Sequence, residues 1–185
     1  MRRSLGISVD EPVEVEITRM RRRHLKGVIA IERQVYPRPW SPNLFLSEMT
    51  ELRNRCYLAA RVGREVVGYG GVMCYGDEAH VTTIAVDPTY HRRKIGTRIM
   101  YELVQESIRL GAKAVSLEVR VSNWGAQRLY SRFGYKPVMI RKGYYQETSE
   151  DALVMWTDDI RTPEYRARLE SLIAEVGTSS SDEPA

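Results

Sequence analysis

The chain has 185 residues, enough for one domain with a proper core, and nothing in it resembles a bilayer-spanning apolar run or a secretory h-region. Its two cysteines, Cys56 and Cys74, lack CxxC or Cys/His spacing, and its three histidines are scattered, so reduced thiols, a cytoplasmic location and no metal site are expected. A net charge of +4, rich in arginine, is compatible with an acidic ligand, RNA or the ribosome; no RNA-binding signature accompanies it, so no direct nucleic-acid or membrane partner is expected.

In chain order, residues 1–12 read as a flexible leader closed by Pro12. Val13–Thr18 alternates like a half-buried strand. A helix is predicted from about Arg21 to Val35, with Leu25, Val28, Ile29 and Ile31 inward. The prolines of Tyr36-Pro37-Arg38-Pro39-Trp40 end it, because proline removes a donor and biases its predecessor away from helix. Ser41 then caps a second helix over Pro42 to about Glu51, with proline at its first position. Arg55–Val62 and Glu65–Tyr75 read as a hairpin turning at Gly63-Arg64. Gly68, Gly70 and Gly71 in its second strand signal a bulge or a close contact.

The most informative stretch is Val81–Gly96, VTTIAVDPTYHRRKIG. An apolar strand (80–87) closes at Asp87-Pro88 and runs through a basic turn into a helix at 94–110. The inward residues of that helix are Ile95, Ile99, Met100, Leu103, Val104 and Ile108. Such an order aims a helix N-terminus and several backbone N–H groups at one spot, the arrangement that binds phosphate. Strand–turn–helix units with basic turns are also common on ordinary surfaces.

Beyond it, Ala114–Val121 is a strand, and Ser122-Asn123 opens a short helix with Ala126, Leu129, Tyr130 and Phe133 on one face, stopped at Gly134. Two strands, Tyr135–Ile140 and Ala152–Trp156, flank a loop at Arg141–Asp151. An amphipathic helix over Pro163–Val176 precedes a polar tail, Gly177–Ala185, read as disordered. That helix could pack on the domain or meet a partner. The resulting domain is α+β, with a central mixed, mostly antiparallel sheet flanked by helices.

The stretch around the basic turn resembles the acetyl-CoA signature of the GNAT superfamily of N-acetyltransferases, Q/R-x-x-G-x-G/A after a strand that ends near a proline. Anchored on Asp87-Pro88 and Tyr90, the chain reads His91-Arg92-Arg93-Lys94-Ile95-Gly96. His91 replaces the usual Gln or Arg, and Lys94 replaces the first Gly. Lysine in a left-handed turn costs on the order of 1 kcal/mol. Its ammonium could offset that beside the phosphates, or it could point to solvent.

LEVRVSN (Leu117–Asn123), Ala126, Leu129-Tyr130, Phe133-Gly134-Tyr135, RKGYY (Arg141–Tyr145) and Glu150-Asp151-Ala152 are similar to the protein N-terminal acetyltransferase branch. Tyr36-Pro37 and Pro39-Trp40-Ser41 look most like its bacterial RimI type, which acetylates the N-terminal alanine of a small-subunit ribosomal protein. Archaeal N-terminal acetyltransferases share LEVRVSN and KGYY. The resemblance covers about Val13–Trp156, within an acetyltransferase domain expected at 13–160 and followed by a C-terminal helix at 161–176.

It implies acetyl-CoA as cosubstrate, Glu118 as base and Tyr130 as the acid for the leaving thiolate. Acetyl-CoA would be held by Ile84, Ala85, Val86, His91, Arg92, Arg93, Lys94, Ile95, Gly96, Thr97, Asn123 and Tyr130. Pro39, Trp40, Tyr144 and Tyr145 would line the slot for a protein N-terminus, such as that of a ribosomal protein. From the residues alone, Glu118 could be an outward strand position, Tyr130 core and Asn123 a helix cap. Acetylation of a lysine side chain or small amine, or CoA binding without catalysis, are the competing readings.

Overall fold

The computed structural model describes residues 14–51 and 53–178; the expected leader, and the tail from 179 onward, lie outside them. Seven strands form one sheet in the order β1-β2-β3-β4-β5-β7-β6: β1 (Glu16–Arg19), β2 (Arg55–Val62), β3 (Glu65–Tyr75), β4 (Glu78–Val86), β5 (Ala114–Arg120), β6 (Lys136–Tyr145) and β7 (Glu150–Trp156). All neighbours are antiparallel except β4 and β5, which run parallel. The α+β fold is as the sequence predicts.

Helices α1 (Leu25–Val35) and α2 (Pro42–Thr50) cover one face, where Val28, Ile31, Phe45, Tyr57 and Tyr69 form a core. Ser41 Oγ caps α2 by accepting Leu44 N–H at 3.1 Å, a contact worth about 1 kcal/mol. Helix α3 (Ile95–Arg109) lies on the other face, in a larger core that includes Ile95, Ile99, Met100, Leu103 and Val104. Helix α4 (Trp124–Arg132) adds Tyr130, and α5 (Pro163–Thr178) adds Tyr165, Leu169 and Leu172 to that core. The C-terminal helix therefore packs on the domain, and it continues two residues past Val176. Among the described residues no helix is long and apolar enough to cross a membrane.

Several boundaries differ from expectation. The first strand starts at Glu16, and the helix expected from Arg21 begins as a 3-10 turn at Arg22–His24. More consequentially, Arg141–Tyr145 is strand rather than loop. It extends β6 through a register shift between Arg141 and Tyr145, with Gly143 at φ 59°. Nearly every residue of β6 is exposed, so it carries no alternation from which a strand could be read.

Of the two purposes expected for the β3 glycines, Gly71 serves the close contact, and a bulge lies opposite it in β4. Thr82 of β4 is the extra residue of a bulge, since Gly71 pairs with Thr83 and Val72 with Val81. A Cβ on Gly71 would meet Tyr57 Cε1 at 2.2 Å, so only glycine lets that ring lie across the strand.

Candidate active site

Strands β4 and β5 pair over only three positions, Glu78↔Ala114, Ala79↔Val115 and His80↔Ser116. Beyond them the bulge at Thr82 redirects β4 and the two strands part. The gap is a cavity of about 430 Å³, lined by Val81–Ile84 on one side and Leu117–Arg120 on the other. Tyr36, Trp40, Asn123, Tyr130, Tyr144 and Tyr145 close its ends.

Glu118 lies in this gap with both carboxylate oxygens engaged. Oε2 is 3.0 Å from His80 Nε2, and Oε1 is 3.0 Å from Arg141 Nη1. The hydrogen bond from His80 holds the carboxyl below the usual carboxylate range; burial opposes it, and the charge of Arg141 adds to it. Each oxygen keeps lone-pair capacity for another donor.

Tyr130 lines the gap, buried, with its ring centroid 5.9 Å from that of Tyr135. Burial pushes its phenol well above the ordinary value, so the hydroxyl stays protonated across the neutral range. Tyr130 is thus both core and cavity wall.

On the opposite wall the edge carbonyls of β4 are covered by side chains. Tyr36 Oη donates to the Ile84 carbonyl at 2.8 Å, and His91 Nε2 lies 3.1 Å from the Val86 carbonyl, which fixes a proton on that nitrogen. Ala85 instead turns its side chain into the core beneath α1.

The basic turn leads to the N-terminus of α3. Arg92 and Lys94 both adopt left-handed backbone, at φ 62° and 56°. The N-cap, Lys94, offers no side-chain cap, so the N–H groups of Ile95, Gly96 and Thr97 point outward without an intrahelical acceptor. The Ile95 and Thr97 side chains are buried, and a Cβ on Gly96 would meet Leu129 of α4 at 3.4 Å. What these residues offer a ligand is therefore backbone. Arg93 lies 5.6 Å from the Tyr90 ring centroid. The Lys94 side chain is engaged within the protein, its Nζ donating to the Glu175 carbonyl of α5 at 2.7 Å.

Asn123 acts as a cap, its Oδ1 accepting Ala126 N–H at 3.1 Å, while it also borders the cavity. Trp40 lines the gap and packs on Phe45 at a 5.2 Å centroid distance, but Pro39 is exposed and does not line it. Tyr144 and Tyr145 meet edge to face at 5.1 Å. The Arg120 guanidinium stacks 3.8 Å from the Tyr145 ring centroid and pairs with Glu147 and Glu150, which braces the wall. Behind Trp40, buried Glu32 accepts Trp40 N–H at 2.8 Å and the Tyr69 hydroxyl.

Sequence reasoning overlooked His80, Tyr36, Glu32 and the pairing of Arg141 with Glu118. His80 becomes visible only through the His80↔Ser116 register of two strands far apart in sequence.

Residues 25–135 match the Acetyltransferase (GNAT) family, and the chain belongs to that family of N-acetyltransferases. N-alpha-acetyltransferase RimI of Mycobacterium tuberculosis is 40% identical over 124 residues, covering 65% of this chain and 76% of that one. The crystal structure of the ribosomal-protein-S18-alanine N-acetyltransferase from Escherichia coli superposes with a TM-score of 0.72 at 28% identity, covering 82% of this chain and 97% of that one. Arabidopsis thaliana NAA60, solved in complex with acetyl-CoA, shares the fold at a TM-score of 0.70 and 20% identity, over 78% of this chain and 98% of that one.

Proposed function

We propose that the protein transfers acetyl from acetyl-CoA directly to the N-terminal α-amine of a protein, with the N-terminal alanine of a small-subunit ribosomal protein as the substrate its relatives favour. The observation that carries this reading is Glu118. It is a carboxylate held ionised in a gap between strands whose lining also includes the buried phenol Tyr130 and the aromatic residues Trp40, Tyr144 and Tyr145.

The amines a transferase could use differ in how much base they need. An α-amine is roughly 10–20% neutral at pH 7, whereas a lysine amine is well under 0.1% neutral. A carboxylate as weakly basic as Glu118 suits the first. The amine nitrogen attacks the thioester carbonyl, its proton passes to Glu118 directly or through a water, the C–S bond breaks, and Tyr130 protonates the departing sulfur. The outward N–H groups of Ile95, Gly96 and Thr97 would take the pyrophosphate. Backbone N–H groups at Ile84–Val86, beside the carbonyls that Tyr36 and His91 cover, would pair with the pantetheine arm, and one of them would polarise the thioester. Asn123 would donate to the same arm through its amide. Trp40, Tyr144 and Tyr145 form a slot suited to a small, extended peptide end. The substrate is a polypeptide, and the protein has no need of a metal in this scheme.

The test is CoA release with acetyl-CoA and two peptides. One has a free N-terminal alanine and no lysine; the other has a blocked N-terminus and one lysine. Turnover of the first alone is expected. Turnover of the second alone would assign side-chain acetylation instead.

A further inference from the structure

The cavity holds a residue that the scheme above leaves without a task. His80 ends the short stretch over which β4 and β5 pair, opposite Ser116, and its ring bridges two side chains of β5. Nδ1 is 3.0 Å from Ser116 Oγ, and Nε2 is 3.0 Å from Glu118 Oε2. An ionised carboxylate can only accept, so Nε2 carries the proton. Ser116 Oγ stands between Nδ1, at 3.0 Å, and the Ala79 carbonyl, to which it donates at 3.4 Å, so the ring has a partner at each nitrogen. Ser116, His80 and Glu118 thus form one contiguous row of polar contacts across β4 and β5.

The second carboxylate oxygen is held differently. Arg141 reaches Oε1 from β6, and its side chain is 48% exposed, against 32% for His80. Arg141 sits at the bulged, exposed part of β6, on a long and flexible side chain. The ring of His80, by contrast, has few rotatable bonds and is fixed at both nitrogens. It is the rigid half of the clamp.

We propose, on the footing of the acetyl transfer described above, that His80 is a positioning residue. It fixes the Glu118 carboxylate where β4 and β5 part, its ring held from the other side by Ser116, so that the remaining lone pairs of Glu118 face the incoming amine. Without it the carboxylate can rotate about its side-chain torsions or swing fully onto Arg141. A misplacement of about 1 Å at a reacting group costs up to about 100-fold in rate.

The experiment compares wild type, His80→Ala and His80→Gln on the free-alanine peptide. Glutamine places an amide N–H near the position of imidazole Nε2 and can donate to Glu118, but it cannot carry the proton of a titrating ring. The alanine variant is expected to lose about 10–100-fold in kcat with KM for acetyl-CoA unchanged within about twofold. The glutamine variant is expected to recover to within about fivefold of wild type. Thermal melts and acetyl-CoA titrations of each variant show whether the fold and the cofactor cradle survive.

Unchanged kcat in His80→Ala would overturn the proposal. So would a glutamine variant as slow as the alanine one, since that pattern assigns His80 to proton transfer. A parallel rise in KM for acetyl-CoA would assign it to general scaffolding and also overturn the proposal. If wild type itself acetylates neither peptide, the reading of the reaction fails first and this inference falls with it. Wild-type turnover with an indifferent His80→Ala removes this inference alone.

Discussion

Lys94 Nζ donates to the backbone carbonyl of Glu175 at 2.7 Å, joining the basic turn to the last turns of α5. A cation there meets the partial negative charge of a helix C-terminus. The same turn of α5 is reached by Arg132 of α4, which pairs with Glu175. Helix α5 is therefore held in part by Lys94 of the basic turn and Arg132 of α4.

Lys94→Ala is expected to lower stability by about 1 kcal/mol, or about 2–4 °C in Tm, because the tie is lost and the left-handed backbone is kept. Lys94→Gly loses the same tie but relieves the backbone, by about 1 kcal/mol, and should melt near wild type. Acetyl-CoA affinity of Lys94→Ala, measured calorimetrically, should fall less than about threefold. A loss above about tenfold would mean that the ammonium leaves Glu175 for the phosphates on binding.

The state of Glu118 makes a pH prediction. Its folded value lies below its ordinary 4.5, so its stabilising contribution is present above 4.5 and is lost only as pH falls through the lower folded value. Glu118 is therefore ionised throughout the working range. The acid limb of kcat/KM should follow the peptide amine, near pH 8, with no second inflection between about pH 5 and 6.5. Glu118→Gln should lower kcat about 100-fold and leave acetyl-CoA binding intact, and Tyr130→Phe should lower it about 10–100-fold. Equal losses in acetyl-CoA binding would make both residues structural.

Glu32 has the opposite sign. Burial pushes its carboxyl above 4.5, against the hydrogen bonds from Tyr69 and Trp40. The folded chain then holds a proton that the unfolded chain has released, so stability falls as pH climbs from 4.5 through the raised value. Glu32→Gln should abolish that slope and raise Tm at neutral pH by about 2–4 °C. Melting curves from pH 4 to 8 for the two proteins decide it.

Gly71→Ala tests the bulge. Tyr57, which the new methyl would strike, is pinned through its hydroxyl to Glu48 at 2.7 Å and to Thr82 at 3.0 Å. The ring cannot swing aside without disturbing Thr82. A loss of about 1–3 kcal/mol is expected, together with weaker acetyl-CoA binding, because Thr82 shapes one wall of the gap. Unchanged binding in a destabilised variant would separate the bulge from the site.

The elements whose neighbours lie close in sequence were legible. The β2–β3 hairpin (Arg55–Val62, Glu65–Tyr75) falls where its turn and strand signals put it, and the stripe of α3 is buried as spaced. Glu118, Tyr130, Trp40, Tyr144 and Tyr145 do meet around one cavity. What could not be read was anything set by long-range register. His80 acquires Glu118 and Ser116 only because β4 and β5 align, and Lys94 acquires Glu175 only because α5 folds back over α3. The Arg141–Tyr145 strand failed to register for another reason: an exposed, bulged edge has neither alternation nor a buried face to report it.

The short β4–β5 pairing has one further consequence. Past His80 and Ser116 the two strands hold extended backbone whose conformational freedom was already given up when the sheet formed. A ligand that lies along such an edge meets backbone that is already ordered, so little further backbone ordering remains to be done on binding. Affinity at this site is then set by how firmly the fold keeps two strands apart, and substitutions that let them close would weaken binding without removing a single contact to the ligand.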